Sequence, residues 1–261
     1  MIIDATQRAL DYAHDHDVTL IAAAGNNHQD EGHPTVDDTS PDYPPSSIYH
    51  RTVDNTCLDL PTEGHNVMSI SAIGPSKRKA DYSNYGLEQI TVAAPGGFFR
   101  DDPLWKASDP PAVRNVAGIP NQILAAFPEN VAEAEGVLNP DGTPNTPFVV
   151  RDCQKKTCAY YQWIQGTSMA SPHAVGVAAL IISEFGRNHK GDFSLDPATT
   201  EQILRDSATE TPCPVPALHS HADKLRPPSF EALCETTAGR NGFYGDGIVD
   251  ALKAVEKTKK H

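Results

Sequence analysis

Residues 166 to 185 constrain this chain more than any other stretch. Gly166-Thr167-Ser168-Met169-Ala170-Ser171-Pro172-His173-Ala174-Val175-Gly176 opens a run of small and apolar residues that continues to about Phe185. The run reads as one long helix, and Ser168 falls at its start. A serine there lies beside backbone amides with no intrahelical acceptor and at the positive end of the helix dipole, where negative charge developing on an attacked carbonyl is stabilised.

Three short apolar runs supply the partners such a helix needs. Val18 to Ala24 ends at Gly25-Asn26-Asn27, while Val67 to Ile73 and Gln89 to Pro95 repeat the pattern of strand followed by Gly or Pro. Nearly unbroken apolar strands of this kind are covered on both faces and belong to parallel sheets. Residues Ile2 to Ala13 carry apolar side chains at three-and-four spacing, which predicts an amphipathic helix with one buried face. The alternation of helix and strand predicts an α/β layer fold. Pro197 to Ala208 reads as a further helix capped by Asp196, Asp250 to Lys257 as a closing helix, and the Pro-rich segment 211–230 as a surface loop. The interval from about Phe98 to Gln162 has little periodicity and many Pro, Asp and Asn residues, interrupted by Ile123 to Phe127, and reads as an insertion or functional loop.

At 261 residues and 39% hydrophobic content, the chain can bury one sizeable core, so residues 1–261 are taken as a single unit. A net charge of -13, with basic residues clustered only at Lys257 to Lys260, argues against nucleic acid or an anionic membrane as partner. No apolar stretch read from the sequence reaches the roughly 18 residues of a membrane span. The first residues, Met1 to Arg8, lack the pattern of a signal peptide. Of the five cysteines, Cys153 with Cys158 and Cys213 with Cys234 are the pairs that suggest loop staples; free thiols in a reducing compartment are the alternative, and zinc is a weak third for the isolated Cys-x4-Cys.

The Gly166 to Gly176 string resembles the nucleophile box of the subtilisin-like serine peptidases. Ala22-Ala-Ala-Gly-Asn26 resembles that family's oxyanion segment, Asp42-Tyr-Pro44 its cleft-side turn, Ser69 to Ile73 with Ala80 to Gly86 the next strand and loop, Val92 to Gly96 the strand beyond, and Gly245 to Ala251 its closing turn and helix. The resemblance implies a three-layer fold around a mostly parallel sheet, with a polypeptide as substrate. It implies that Ser168 is the nucleophile, that Asn26 donates to the oxyanion, and that Ala23 and Gly25 line the first specificity pocket. Calcium is common in relatives, but no acidic loop here has a ligand pattern for it, and no other cofactor is implied. The resemblance implies an extracellular parent.

A serine hydroxyl needs a histidine to take its proton and a carboxylate to orient the imidazole. None of the 11 histidines precedes a glycine, so the family's His-Gly-Thr box is missing from these residues; Asp30-Glu-Gly32 and Asp141-Gly-Thr143 are poor matches to its aspartate box. His173 lies five helical positions from Ser168, about 140° around the axis, which predicts a buried structural histidine. His219 and His221 are predicted to be solvated loop residues. The sequence therefore reads as the carboxy-terminal part of a peptidase domain whose first strands, Asp and His are absent. Such a piece is expected to be nearly inert alone, poorly soluble, and dependent on a complementary amino-terminal segment. A non-catalytic peptide-binding form or a truncated remnant is the alternative.

Overall fold

Small residues and parallel strands set the centre of the molecule. The computed structural model describes residues 2–39, 43–189 and 192–256. The Asp42 member of the cleft-side turn and the Lys257 to Lys260 tail lie outside the described residues. Helix α1 (Ile2–His14) leads into strand β1 (Leu20–Ala23), which pairs in parallel with β2 (Val67–Ile73), itself parallel to β3 (Val92–Pro95). Sheet order is β1-β2-β3, with Ala23 opposite Ile70 and Ile70 opposite Val92. The segment after Tyr244 runs along the outer edge of β3, where Ala93 N donates to Gly247 O and Val249 N to Ala93 O. Both edges of β3 are thereby paired. Among the described residues, β1 has a strand on one side only.

The interval 98–162, expected to be mostly irregular, contains α2 (Pro111–Ala117), β4 (Ile123–Ala126), α3 (Glu129–Ala134) and β5 (Val149–Gln154), with β6 (Thr157–Ile164) at its end. The three strands form an antiparallel sheet in the order β4-β6-β5. Phe127, Ala132, Val149 and Tyr160 give it a small core of its own. The Cys153–Cys158 disulfide staples its hairpin, and Cys213–Cys234 ties the Pro-rich loop to the second face of the central sheet, so both suggested pairs form; Cys57 is free.

Helix α4 (Thr167–Phe185) crosses β1, β2 and β3 on one face, followed by α5 (Pro197–Ser207) and α6 (Ala251–Glu256) in the same layer. Ala170, Ala174, Val177, Ala178 and Ile181 recur at helical spacing and pack on Met68, Ile70, Ala72, Val92 and Ala94, the alternate residues of β2 and β3. Small side chains let the helix approach the sheet closely. The other face of the sheet meets Tyr85, Phe243, Tyr244 and Ile248. Asp196 caps α5, accepting from Thr199 N at 2.9 Å.

Several expectations fail for one reason. Helix α1 has no buried residue, and Ile2 is 83% exposed. All four residues of β1 are only half-buried. On α4, Val175 and Leu180 are about half exposed, and His173, expected to be buried, is exposed with Nδ1 2.8 Å from Met169 O. The open sides of α1, β1 and α4 lack a covering layer among the described residues, so apolar patterning does not lead to burial there. Helix α4 has the length and apolarity of a membrane span, contrary to the sequence reading, but in this fold it is the helix on which the sheet packs.

Candidate active site

Two turns separated by 141 residues meet at the carboxyl edge of the sheet, the edge at which α/β folds bind ligands. Strand β1 ends at Ala23, and the chain turns through Gly25, whose φ of +105° is open only to glycine. Glycine is needed for space as well, because a Cβ there would lie 2.4 Å from Asn84 Nδ2. Beside it, Gly166 donates its N–H to Gly96 O at 2.9 Å, which anchors the start of α4 to the end of β3.

Thr167 locks the two turns together. Its N–H and hydroxyl both donate to Asn26 Oδ1, at 2.8 and 3.0 Å, while its Oγ1 accepts from Gly25 N at 3.1 Å. Thr167 is fully buried, so these bonds are shielded from water. With its oxygen held, the Asn26 amide must turn its nitrogen outward. A Cβ built on Gly166 would lie 3.5 Å from Asn26 Oδ1, 3.6 Å from Asn26 Nδ2 and 3.6 Å from Ser168 N, so the Asn26 amide and the Ser168 N–H both border Gly166. Ser168, in the first turn of α4, is exposed, as is Asn26. The arrangement groups an exposed hydroxyl with the Asn26 amide and the N–H donors of a helix start, the donor types that stabilise an oxyanion.

Asn84 supports the Asn26 turn from behind and was not singled out in the sequence. Its Oδ1 accepts from Asn27 N at 2.9 Å and Gln29 N at 3.0 Å, and its backbone N–H donates to Gly25 O at 3.0 Å. Its Nδ2 donates to Glu31 Oε1. Glu31 is buried, and burial, reinforced by the charges of Asp59 and Glu63, pushes its pKa up to about 8. The available signal was the Ala80 to Gly86 loop itself, where a polar residue sits between Ser83 and Tyr85, but nothing local identified its partner.

The sequence-predicted residues Ser168, Asn26 and Gly25 come together, and Ala23 stands half-buried at the end of β1 beside them. Among the described residues, no hydrogen bond joins a histidine ring to Ser168; the His173 ring bonds Met169 O instead. His219 and His221, expected to be solvated, lie half-buried and buried on the sheet face opposite α4. Burial lowers their pKa values to about 4 and about 2, with the Lys79 ammonium adding to the effect. Among the described residues, no group of three or more His, Cys, Asp or Glu side chains is disposed to hold a metal ion.

A family model described as the Subtilase family matches residues 3–247. A protein of Deinococcus radiodurans described as a probable subtilase-type serine protease is 24% identical over 202 residues, covering 77% of this chain and 18% of that protein. Among solved structures, a lanthipeptide protease superposes with a TM-score of 0.54 at 23% identity, covering 98% of this chain and 55% of that one. The epidermin leader peptide processing serine protease of Staphylococcus aureus superposes with a TM-score of 0.52 at 20% identity, covering 99% and 44%. The chain thus spans about half the length of these solved structures and under a fifth of the curated relative.

Proposed function

The chain belongs to the subtilase family, and on that premise we propose that it carries the nucleophile and oxyanion half of a serine endopeptidase site. The observation that carries the reading is the Thr167 clamp, which holds the Asn26 amide against the start of α4, so that Asn26 Nδ2 and Ser168 N both border Gly166 beside the exposed Ser168. Ser168 Oγ attacks the scissile carbonyl of a polypeptide, and the carbonyl oxygen gathers negative charge between these two donors. The amine leaves, and water hydrolyses the acyl-enzyme. Thr167 fixes which atom of the Asn26 amide faces the substrate. Ala23 and Gly25 flank the position of the residue before the cleaved bond.

The general base and its carboxylate come, in this proposal, from a complementary segment outside these 261 residues. The support is the same open surface that left α1, β1 and half of α4 uncovered: a strand paired on one side beside an exposed apolar helix face accepts a further strand and layer. Removing the base from a serine triad lowers turnover by about 10⁶-fold, so the chain alone is expected to be almost inactive.

A fluorophosphonate probe tests the reading, with Ser168→Ala as control. Ser168 should label slowly or not at all in the chain alone and rapidly when an amino-terminal segment bearing Asp-x-Gly and His-Gly-Thr boxes is supplied. Rapid labelling of the chain alone would refute an external base. No labelling with the segment bound would refute the peptidase reading and favour a peptide-binding role.

A further inference from the structure

We propose that the pocket between the turn at residues 76–79 and the disulfide-tied loop at 211–214 binds a carboxylate carried on an apolar body. The pocket has a volume of about 400 Å³ and lies on the sheet face opposite α4; Arg78, Lys79, Pro214, His219, Phe243 and Tyr244 line it. It is independent of the peptidase reading.

Lys79 is the residue that calls for a ligand. It is 1% exposed, its Nζ donates to Ala80 O at 3.1 Å, and it stands 4.9 Å from the Tyr85 ring centroid and 5.4 Å from that of Phe243. Among the described residues, none of the ion pairs includes it: Asp81 accepts from Arg226, and Asp223 pairs with Arg78 at 2.8 Å. The attraction of the Asp81 carboxylate offsets only part of the cost of burying this ammonium, and the aromatic faces compensate only in part.

Around it, nitrogen atoms accumulate without acceptors. Among the described residues, His219 Nε2, in the pocket wall, and both ring nitrogens of His221, which does not line the pocket, are buried and have no hydrogen-bond partner. The two rings are 4.7 Å apart, edge to face, and His221 is 1% exposed. Burial brings the Lys79 pKa down to about 7, and that of His219 is held low by burial and then by the positive charges of Arg78 and Lys79. The histidines are neutral, so the positive charge here comes from Arg78 and, up to about pH 7, from Lys79, within a chain of net charge -13. An anion entering here meets Arg78, Lys79 and the unpartnered His219 Nε2, and the rings and prolines of the wall suit an apolar body better than a hydrated ion such as phosphate. The same chemistry is offered by a free monocarboxylic acid and by the carboxy terminus of a peptide ending in an apolar residue.

The test is calorimetric titration of the intact chain with 3-phenylpropanoate and, separately, with its neutral amide, while the histidine ring resonances are followed by NMR. The acid should saturate with a Kd on the order of 1 mM, perturb the His219 ring, and bind at least about tenfold more tightly than the amide. Lys79→Met should weaken binding by about 10- to 100-fold. The comparison of acid with amide needs no variant, so it stands even if Lys79→Met fails to fold. A peptide ending in free phenylalanine that binds more tightly than the small acid marks a peptide terminus as the source; tighter binding of the small acid marks a free metabolite. Equal binding of acid and amide, no saturation by the acid, or unmoved His219 resonances would overturn the proposal, as would inorganic phosphate binding more tightly than the acid.

Discussion

Gly25→Ala is the substitution whose cost the structure resolves most sharply. Two penalties combine there. The backbone at φ +105° is one that an alanine occupies only with strain, at about 1–2 kcal/mol. The new Cβ would also meet Asn84 Nδ2 at 2.4 Å and Cγ at 3.0 Å. Asn84 has little freedom to retreat, because its side chain holds Asn27 N, Gln29 N and Glu31 at once. Forced overpacking of this kind costs about 1–3 kcal/mol, so the total should be about 2–5 kcal/mol. Gly136→Ala is the matched control: its φ is +68°, but a Cβ there has nothing within 4 Å, so only the backbone penalty remains, about 1 kcal/mol. Urea unfolding of the full chain at constant m separates the two. In an Asn84→Ala background, Gly25→Ala should cost only its backbone strain of about 1–2 kcal/mol, a coupling of at least about 1 kcal/mol. Equal destabilisation by Gly25→Ala and Gly136→Ala, or strict additivity with Asn84→Ala, would refute the claim that Asn84 rigidly backs the Asn26 turn.

Glu31→Gln should change how stability responds to pH. The carboxyl takes up its proton more readily when folded, with a pKa raised from 4.5 to about 8, so the native state binds the extra proton between those values. Wild-type stability therefore loses this contribution as pH rises from about 4.5 to 8, and the variant does not; the difference in urea midpoints should grow in the variant's favour across that window and level off above it. A difference independent of pH would show that Glu31 ionises freely. The two disulfides should differ in worth according to the loops they close. Replacing Cys213 and Cys234, 21 residues apart, by alanine should cost about 3 kcal/mol, and replacing Cys153 and Cys158, 5 apart, about 2 kcal/mol; thermal melts with the reverse order would refute the chain-entropy account.

Much of the site was legible because its signals are local. A serine in the first turn after Gly166, a Gly-Asn strand end at Gly25-Asn26, and the Asp196 cap each follow from the conformational preferences of a few adjacent residues. The hairpin of β5 and β6 could also have been read: Val149 to Ile164 is rich in β-branched and aromatic residues, and Lys155 takes the positive φ of a turn between the two stapled cysteines. The Pro- and Asp-rich residues before it masked that pattern.

What the sequence determined by itself was the central strands and helices, with Ser168 at a helix start and Asn26 just past a strand end, because periodicity, turn chemistry and helix-start chemistry act within a few residues. Only the tertiary structure decided that Thr167 holds the Asn26 oxygen, that Asn84 and Glu31 stand behind that turn, and that His221 and Lys79 are buried. It also decided that His173 and half of α4 face outward. Burial and pairing depend on which distant segments cover a surface. An apolar stripe on a helix specifies that it can be covered, and a covering layer is a property of the whole assembly of strands and helices.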